Sequence, residues 1–132
     1  MNVMQQFKAS YSMGVHTIEA VACFCGADLV VVIGGGERYH VGAVAIAVPR
    51  ASLRNHEKIS ASASVICLTG HKEDLLAREG ALRLASKLNR NVILTIGIHV
   101  ENATADDLQK IKSCFDELLD RLVQELGNNN ML

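Results

Sequence analysis

Tryptophan is absent from this chain of 132 residues, and only 4% of its residues are aromatic. Because 49% are hydrophobic, a core is affordable, but it has to be aliphatic and rich in alanine. A surplus of one charge sign is missing too: 13 Lys and Arg stand against 14 Asp and Glu. That argues against a nucleic-acid binder, which carries a clear basic excess. No apolar run approaches the roughly 20 residues that span a bilayer as a helix. The segment Met1-Asn2-Val3-Met4-Gln5-Gln6-Phe7-Lys8 has no apolar stretch preceded by positive charge, so no signal peptide is expected and the chain reads as cytoplasmic. Its four cysteines, Cys23, Cys25, Cys67 and Cys114, are then expected to be reduced. Internal repeats, linkers and a second domain are also missing, and residues 1–132 read as one domain.

What is present is a series of strands followed by two helices. Residues 7–13 alternate weakly up to Gly14, and 17–25 alternate with Ile18, Ala20, Ala22 and Phe24 on one face. After Gly26-Ala27-Asp28, residues 29–33 are apolar on both faces and β-branched, the mark of a central strand. Residues 41–48 are apolar on both faces again. The segment 49–63, small, polar and basic, reads as a long loop, and 64–68 as a further strand. A helix is expected over 72–88, striped by Leu76, Ala77, Gly80, Ala81, Leu84, Ala85 and Leu88. A strand follows over 92–100. A second helix is expected over 105–126, capped by Thr104 with Asp107, striped from Leu108 to Leu126 and ended by Gly127. The order β-β-β-β-β-α-β-α implies an α/β (α+β) domain: a mostly antiparallel sheet or sandwich with two C-terminal helices. Two helices cover only one face of such a sheet. The other face needs a second layer or another subunit, so a homodimer is expected.

Between the two doubly apolar strands lies Ile33-Gly34-Gly35-Gly36-Glu37-Arg38-Tyr39-His40-Val41-Gly42-Ala43. Three glycines read as a loop whose amides a ligand can approach closely, as in phosphate-binding nests. It is not a phosphate loop of the Walker type, since no Gly-Lys-Ser/Thr follows, nor a dinucleotide fingerprint, since a strand follows it. His40, His71 and His99 all fall at element ends, where sites are built on rigid scaffolds. If those ends converge, the histidines suit a metal, a phosphate or proton transfer. No spacing resembles a metal motif, and no nucleophile elbow frames Ser60, Ser62 or Ser64. Gly70-His71-Lys72 opens a helix, where free amides and a lysine favour an anion. The 49–63 segment adds Arg50, Arg54 and Lys58.

A set of short blocks in fixed order now carries a resemblance: Gly35-Gly36-Glu37, His40-Val41-Gly42-Ala43, Val48-Pro49-Arg50, Ser64-Val65, Gly70-His71-Lys72-Glu73-Asp74, Gly97-Ile98-His99 and Asn102-Ala103-Thr104. Over roughly residues 15–126 the chain resembles the small prenylated-flavin chaperone (LpdD-like) family, associated with UbiD-type decarboxylases of aromatic acids. That family is similar in fold to proteasome assembly chaperones, dimeric proteins with a sheet sandwich and flanking helices. Tyr39 departs from the pattern, standing where proline is expected before the histidine. The resemblance implies a non-enzymatic role: binding prenylated FMN or FMN and assisting its delivery to, or maturation in, a UbiD-type decarboxylase. It assigns Gly35, Gly36, Arg50 and Lys72 to the flavin phosphate, with Gly42, Gly70 and His99 in the same cofactor site. A divalent metal with the phosphate would engage Glu37, His40 or His71, and a dimer seam lined by Gly42, Ala43 and Gly97 would supply a slot for the ring. Two other readings stand beside it: a protein-assembly chaperone with no small ligand, and a metal-dependent decarboxylase subunit using His40, His71 and His99.

Overall fold

The computed structural model describes residues 4–68 and 73–128. Strand β1 (Gln6–Met13) and β2 (His16–Cys25) form a hairpin, closed at Gly14, whose φ of 64° no β-branched residue adopts readily. Then come β3 (Asp28–Gly36), β4 (Arg38–Ala51), β5 (Ile59–Cys67), α1 (Asp74–Leu88), β6 (Val92–His99) and α2 (Ala105–Asn128). All six strands join in one sheet of order β1-β2-β3-β6-β4-β5. Every pair is antiparallel except β3 with β6, which runs parallel from Leu29↔Val92 to Gly36↔His99. The last strand is thus a central one, flanked by β3 and β4, and it reads as apolar on both faces for that reason.

Both helices pack on the same face: α1 on β4, β5 and β6, α2 on β1 and β2, and each against the other. The buried layer takes every second residue, with Ile18, Ala20, Ala22 and Phe24 from β2, Leu29, Val31 and Ile33 from β3, and Leu94 and Ile96 from β6. Strand β4 contributes only alanines (Ala43, Ala45, Ala47), and α1 answers with Ala77, Gly80, Ala81 and Ala85. With little side chain between them, helix and sheet approach closely, and a Cβ at Gly80 would already stand 3.0 Å from both Leu94 and Phe115. Helix α2 fills the rest with Phe115, Leu118, Leu119 and Leu122. Its N-terminus is a reciprocal capping box: the Thr104 N–H donates to Asp107 Oδ2 at 2.9 Å and the Asp107 N–H to Thr104 Oγ1 at 3.1 Å. A charged network ties the two helices, with Arg83 and Lys112 each bridging Glu79 of α1 to Asp116 of α2. Burial pushes the Asp116 carboxyl up, but hydrogen bonds from Lys112 and Arg83 together outweigh it and leave the group below the ordinary carboxylate range.

The expected two-helix α+β domain is observed, with several boundaries corrected. Gly34, Gly35 and Gly36 lie within β3 and not in a loop. The long loop expected over 49–63 shrinks to 52–58, because β4 runs through Pro49 and β5 begins at Ile59. Beyond Ala47↔Val92, β4 has a neighbour on one side only, where a proline is tolerated. Leu108 is exposed and leaves the apolar stripe of α2, and that helix continues through Gly127 to Asn128. The second face of the sheet carries no described element and remains open.

Candidate functional site

Parallel β3 and β6 both end, and β4 begins, at one edge of the sheet, and the N-termini of α1 and α2 lie at that same edge. Topology therefore gathers His16, Glu37, His40, Glu73, His99 and Glu101 on a single rim. Glu73, immediately before α1, is the only charged residue buried in the described chain, at 8% exposure. Its Oε1 lies 3.2 Å from His40 Nε2 and accepts the Ile98 N–H at 3.4 Å. Space for this carboxylate exists because residue 42 is glycine: a Cβ there would stand 2.5 Å from Glu73 Oε2. The backbone of His40 in turn rests on Gly97, where a Cβ would collide with the His40 carbonyl oxygen. Between Tyr39 and Ala43 the β4–β6 register shifts, and this irregularity is what aims His40 at Glu73.

The rings of His40 and His99 meet edge to face, with centroids 6.3 Å apart and planes at 78°. His99 Nε2 lies 2.9 Å from Glu101 Oε2. Two imidazoles in contact, each backed by a carboxylate, thus form a line Glu73–His40–His99–Glu101. Glu37 braces it from the neighbouring turn. Its N–H donates to the His99 carbonyl at 2.7 Å, its Oε1 accepts the Glu101 N–H at 3.2 Å, and His16 Nε2 stands 3.7 Å from the same oxygen. A cleft of about 350 Å³ opens beside this turn, lined by His16, Glu37, Glu101, Asp107 and Lys110 among others. On the other flank, Tyr39 covers Gly34, where a Cβ would be 2.7 Å from its ring. Burial first, then the Glu19 charge and a hydrogen bond to Glu19, raise the Tyr39 hydroxyl above its ordinary value.

The rim unites Glu37, His40, Gly36, Gly42 and His99 of the expected site residues. Gly35 and Gly36 do not form a nest: both are strand positions, Gly35 held against the Thr17 carbonyl and Gly36, at φ 80°, against that of His99. Arg50 does not join them. It lies ten residues along β4, about 30 Å away at 3.3 Å per strand residue, and its Nε donates to Ser62 Oγ at 2.9 Å. Nor do Gly42, Ala43 and Gly97 line an open slot: Glu73 fills the first, Ala43 faces the helices, and the His40 carbonyl covers the third. Gly70, His71 and Lys72 lie outside the described residues. Among the described residues no three His, Cys, Asp or Glu side chains are grouped to hold a metal ion. His40 Nε2 faces Glu73 and its Nδ1 lies 3.4 Å from the Arg38 carbonyl, so both ring nitrogens are turned to protein oxygens. Glu73 stands in one of the blocks that carry the resemblance, but sequence reasoning gave it no role at the site. The small residue at 42, in a strand otherwise free of glycine, was its only local signal.

A six-stranded mixed sheet with two helices on one face and a polar rim at the helix N-termini defines a two-layer α+β domain. A chain in the crystal structure of a novel chaperone complex for yeast 20S proteasome assembly has this fold, with a TM-score of 0.60 at 19% identity, over 94% of this chain and 98% of that one. No curated protein sequence matches significantly. Residues 12–127 match the prenylated flavin chaperone LpdD-like domain, and the chain belongs to that family. No helix among the described residues is long and apolar enough to cross a membrane.

Proposed function

We propose that this protein is a non-enzymatic accessory factor that binds prenylated FMN, or FMN, and serves a UbiD-type decarboxylase of aromatic acids as a homodimer. The observation that carries the reading is the Glu73–His40–His99–Glu101 line at the rim, in a member of this family. The residues present fit a phosphorylated ring compound on the α1 side of that line. Glu73 turns its carboxylate inward to the Ile98 N–H, and among the described residues no side-chain hydrogen bond caps α1, whose N-terminus is the end that favours an anion. The opposite cleft fits a phosphate poorly, since Glu37, Glu101 and Asp107 line it against His16 and Lys110 alone. His40 would hold the ligand by its ring edge, His99 would stack or hydrogen-bond beside it, and Lys72 would add a cation. Bound there, the prenylated flavin supplies the cofactor that the decarboxylase uses, while this chain orients it and shields one edge from water.

Calorimetric titration of the whole protein with prenylated FMN and with FMN tests this directly. Binding near the micromolar range, weakened at least tenfold in His40→Ala and in Lys72→Ala, is the expected result. No binding of either flavin, or binding that neither substitution changes, overturns it. The second reading, a protein-assembly chaperone without a small ligand, is favoured by one feature: the open face of the sheet, which is apolar. Absence of flavin binding together with capture of a decarboxylase subunit would select it.

A further inference from the structure

We infer that the outer edge of β5 is a docking strip for an extended segment of another protein, which joins the sheet antiparallel to β5 and carries acidic residues at its C-terminal end. β5 is the last strand of the sheet and pairs only with β4. At its two ends the Leu68 N–H donates to the Gly42 carbonyl and the Ser52 N–H to the Lys58 carbonyl, each at 2.8 Å. In an antiparallel ladder the backbone groups of alternate residues point to opposite sides. The even-numbered residues of β5 therefore bond to β4, and the N–H and C=O groups of Ala61, Ala63 and Val65 point away from it. No described strand meets them there. Sheets guard such edges with charge, proline or a bulge. β1, the opposite edge, carries the exposed Lys8. β5 has no charged residue and no proline, and its register against β4 is unbroken from Ile59 to Cys67.

The two sides of the strip set the chemistry of the occupant. Glu79 and Arg83 of α1 face α2. The helical period therefore puts Leu75, Arg78 and Leu82 on the opposite flank, over β5. Leu75 is 72% exposed, and Ile66, on the other face of the sheet, is 65% exposed. A strand added at this edge meets an apolar side chain above and below, and apolar residues alternating along it match both. The charge is one-sided: Arg50, Arg54 and Lys58 gather where β5 begins, against Glu57 alone. None of the three cations pairs with a carboxylate among the described residues, and Arg50 reaches onto β5, its Nε donating to Ser62 Oγ at 2.9 Å. The C-terminal end of an antiparallel strand arrives at this basic end, so acidic residues belong there. A second copy of β5 carries no carboxylate to meet these cations.

Hydrogen exchange followed by NMR on the whole protein is the test. The probe is a synthetic peptide of alternating threonine and valine that ends in three glutamates, and the control is the same peptide ending in three lysines. The glutamate peptide is expected to slow exchange of the Ala61, Ala63 and Val65 amides at least tenfold, while the Ser62 and Ser64 amides, already bonded to β4, change little. It is also expected to bind at least tenfold more tightly than the lysine peptide. No protection at about 1 mM peptide overturns the inference, as does equal binding of the two peptides. Protection of the same amides that grows with protein concentration alone identifies a second copy as the occupant and also overturns it. Ala63→Pro removes one outward N–H and leaves the β4 ladder whole, at a place where a sheet edge tolerates proline. It should weaken the glutamate peptide at least tenfold, and unchanged binding overturns the inference. Should that variant fail to fold, as circular dichroism would show, Arg54→Glu with Lys58→Glu decides on exposed side chains: a loss of at least tenfold supports the strip, and no loss overturns it. None of these outcomes depends on flavin at the rim, so the two proposals stand or fall separately.

Discussion

Replacing Gly97 by alanine should be among the most damaging single-methyl changes at the rim. The added Cβ would collide with the His40 carbonyl oxygen and stand 2.5 Å from its carbon, where ordinary contact begins at 3.4 Å. Because the carbonyl oxygen is closer still, strand β4 must retreat by more than ~1 Å, and its neighbour across the clash is backbone, which has no rotamer to yield. Overpacking of this kind costs about 1–3 kcal/mol, and a backbone-on-backbone clash belongs at the upper end. For a domain of this size ~3 kcal/mol lowers Tm by about 10 °C. The comparison is Gly14→Ala, where nothing lies within 4 Å and only the positive φ is strained, at about 1–2 kcal/mol. Thermal unfolding of the two variants side by side is the assay, with the His40 ring resonances followed by NMR. A Gly97→Ala protein that melts within ~2 °C of wild type, with His40 unshifted, would refute the close approach that places His40 against Glu73.

Thr104→Ala removes the hydroxyl that accepts the Asp107 N–H and should cost about 1 kcal/mol in urea unfolding; no change would mean that the capping box does not form. Asp116 is held below the ordinary carboxylate range, so its contribution is fully present above that range and is lost as pH falls through the depressed folded value. Urea midpoints measured from neutral pH down to about 3 should fall less steeply in Asp116→Asn, and an unchanged slope would remove Asp116 from the account of acid sensitivity. Phe115→Ala empties the space between α1, α2 and β6 and should cost about 3–5 kcal/mol, enough for loss of a cooperative melt near 37 °C to be the measured outcome.

What was legible in the sequence is what local chemistry encodes. Thr104 and Asp107 announce a capping box because both partners lie within one turn, and the alanine and leucine stripe of α1 follows from a period of 3.6. The misreadings have one physical origin: small residues carry no periodic signal. Gly34 to Gly36 look like a loop, yet they are a strand that cannot bear side chains, because Tyr39, Thr17 and His99 occupy the space where a Cβ would be. The run of serine and alanine in β5 looks like a loop for the same reason, since serine alternates with alanine there and neither side chain is large enough to give a strong apolar period. Convergence of His40 with His99 was readable only as a condition, because it follows from β6 pairing with both β3 and β4, a long-range topology that no local pattern specifies. Glu73 was given no role because its burial is set by a glycine thirty-one positions earlier.

The place of β6 between β3 and β4 also sets an order of events during synthesis. The first five strands leave the ribosome as two separate pieces, the β1–β2–β3 meander and the β4–β5 hairpin, each with an unpaired apolar inner edge. Nothing joins them until residues 92–99 have emerged and slid into the gap, and α2 cannot dock before that. This domain thus passes through its own synthesis with two apolar strand edges open, and folds as a unit only once β6 is available to join them.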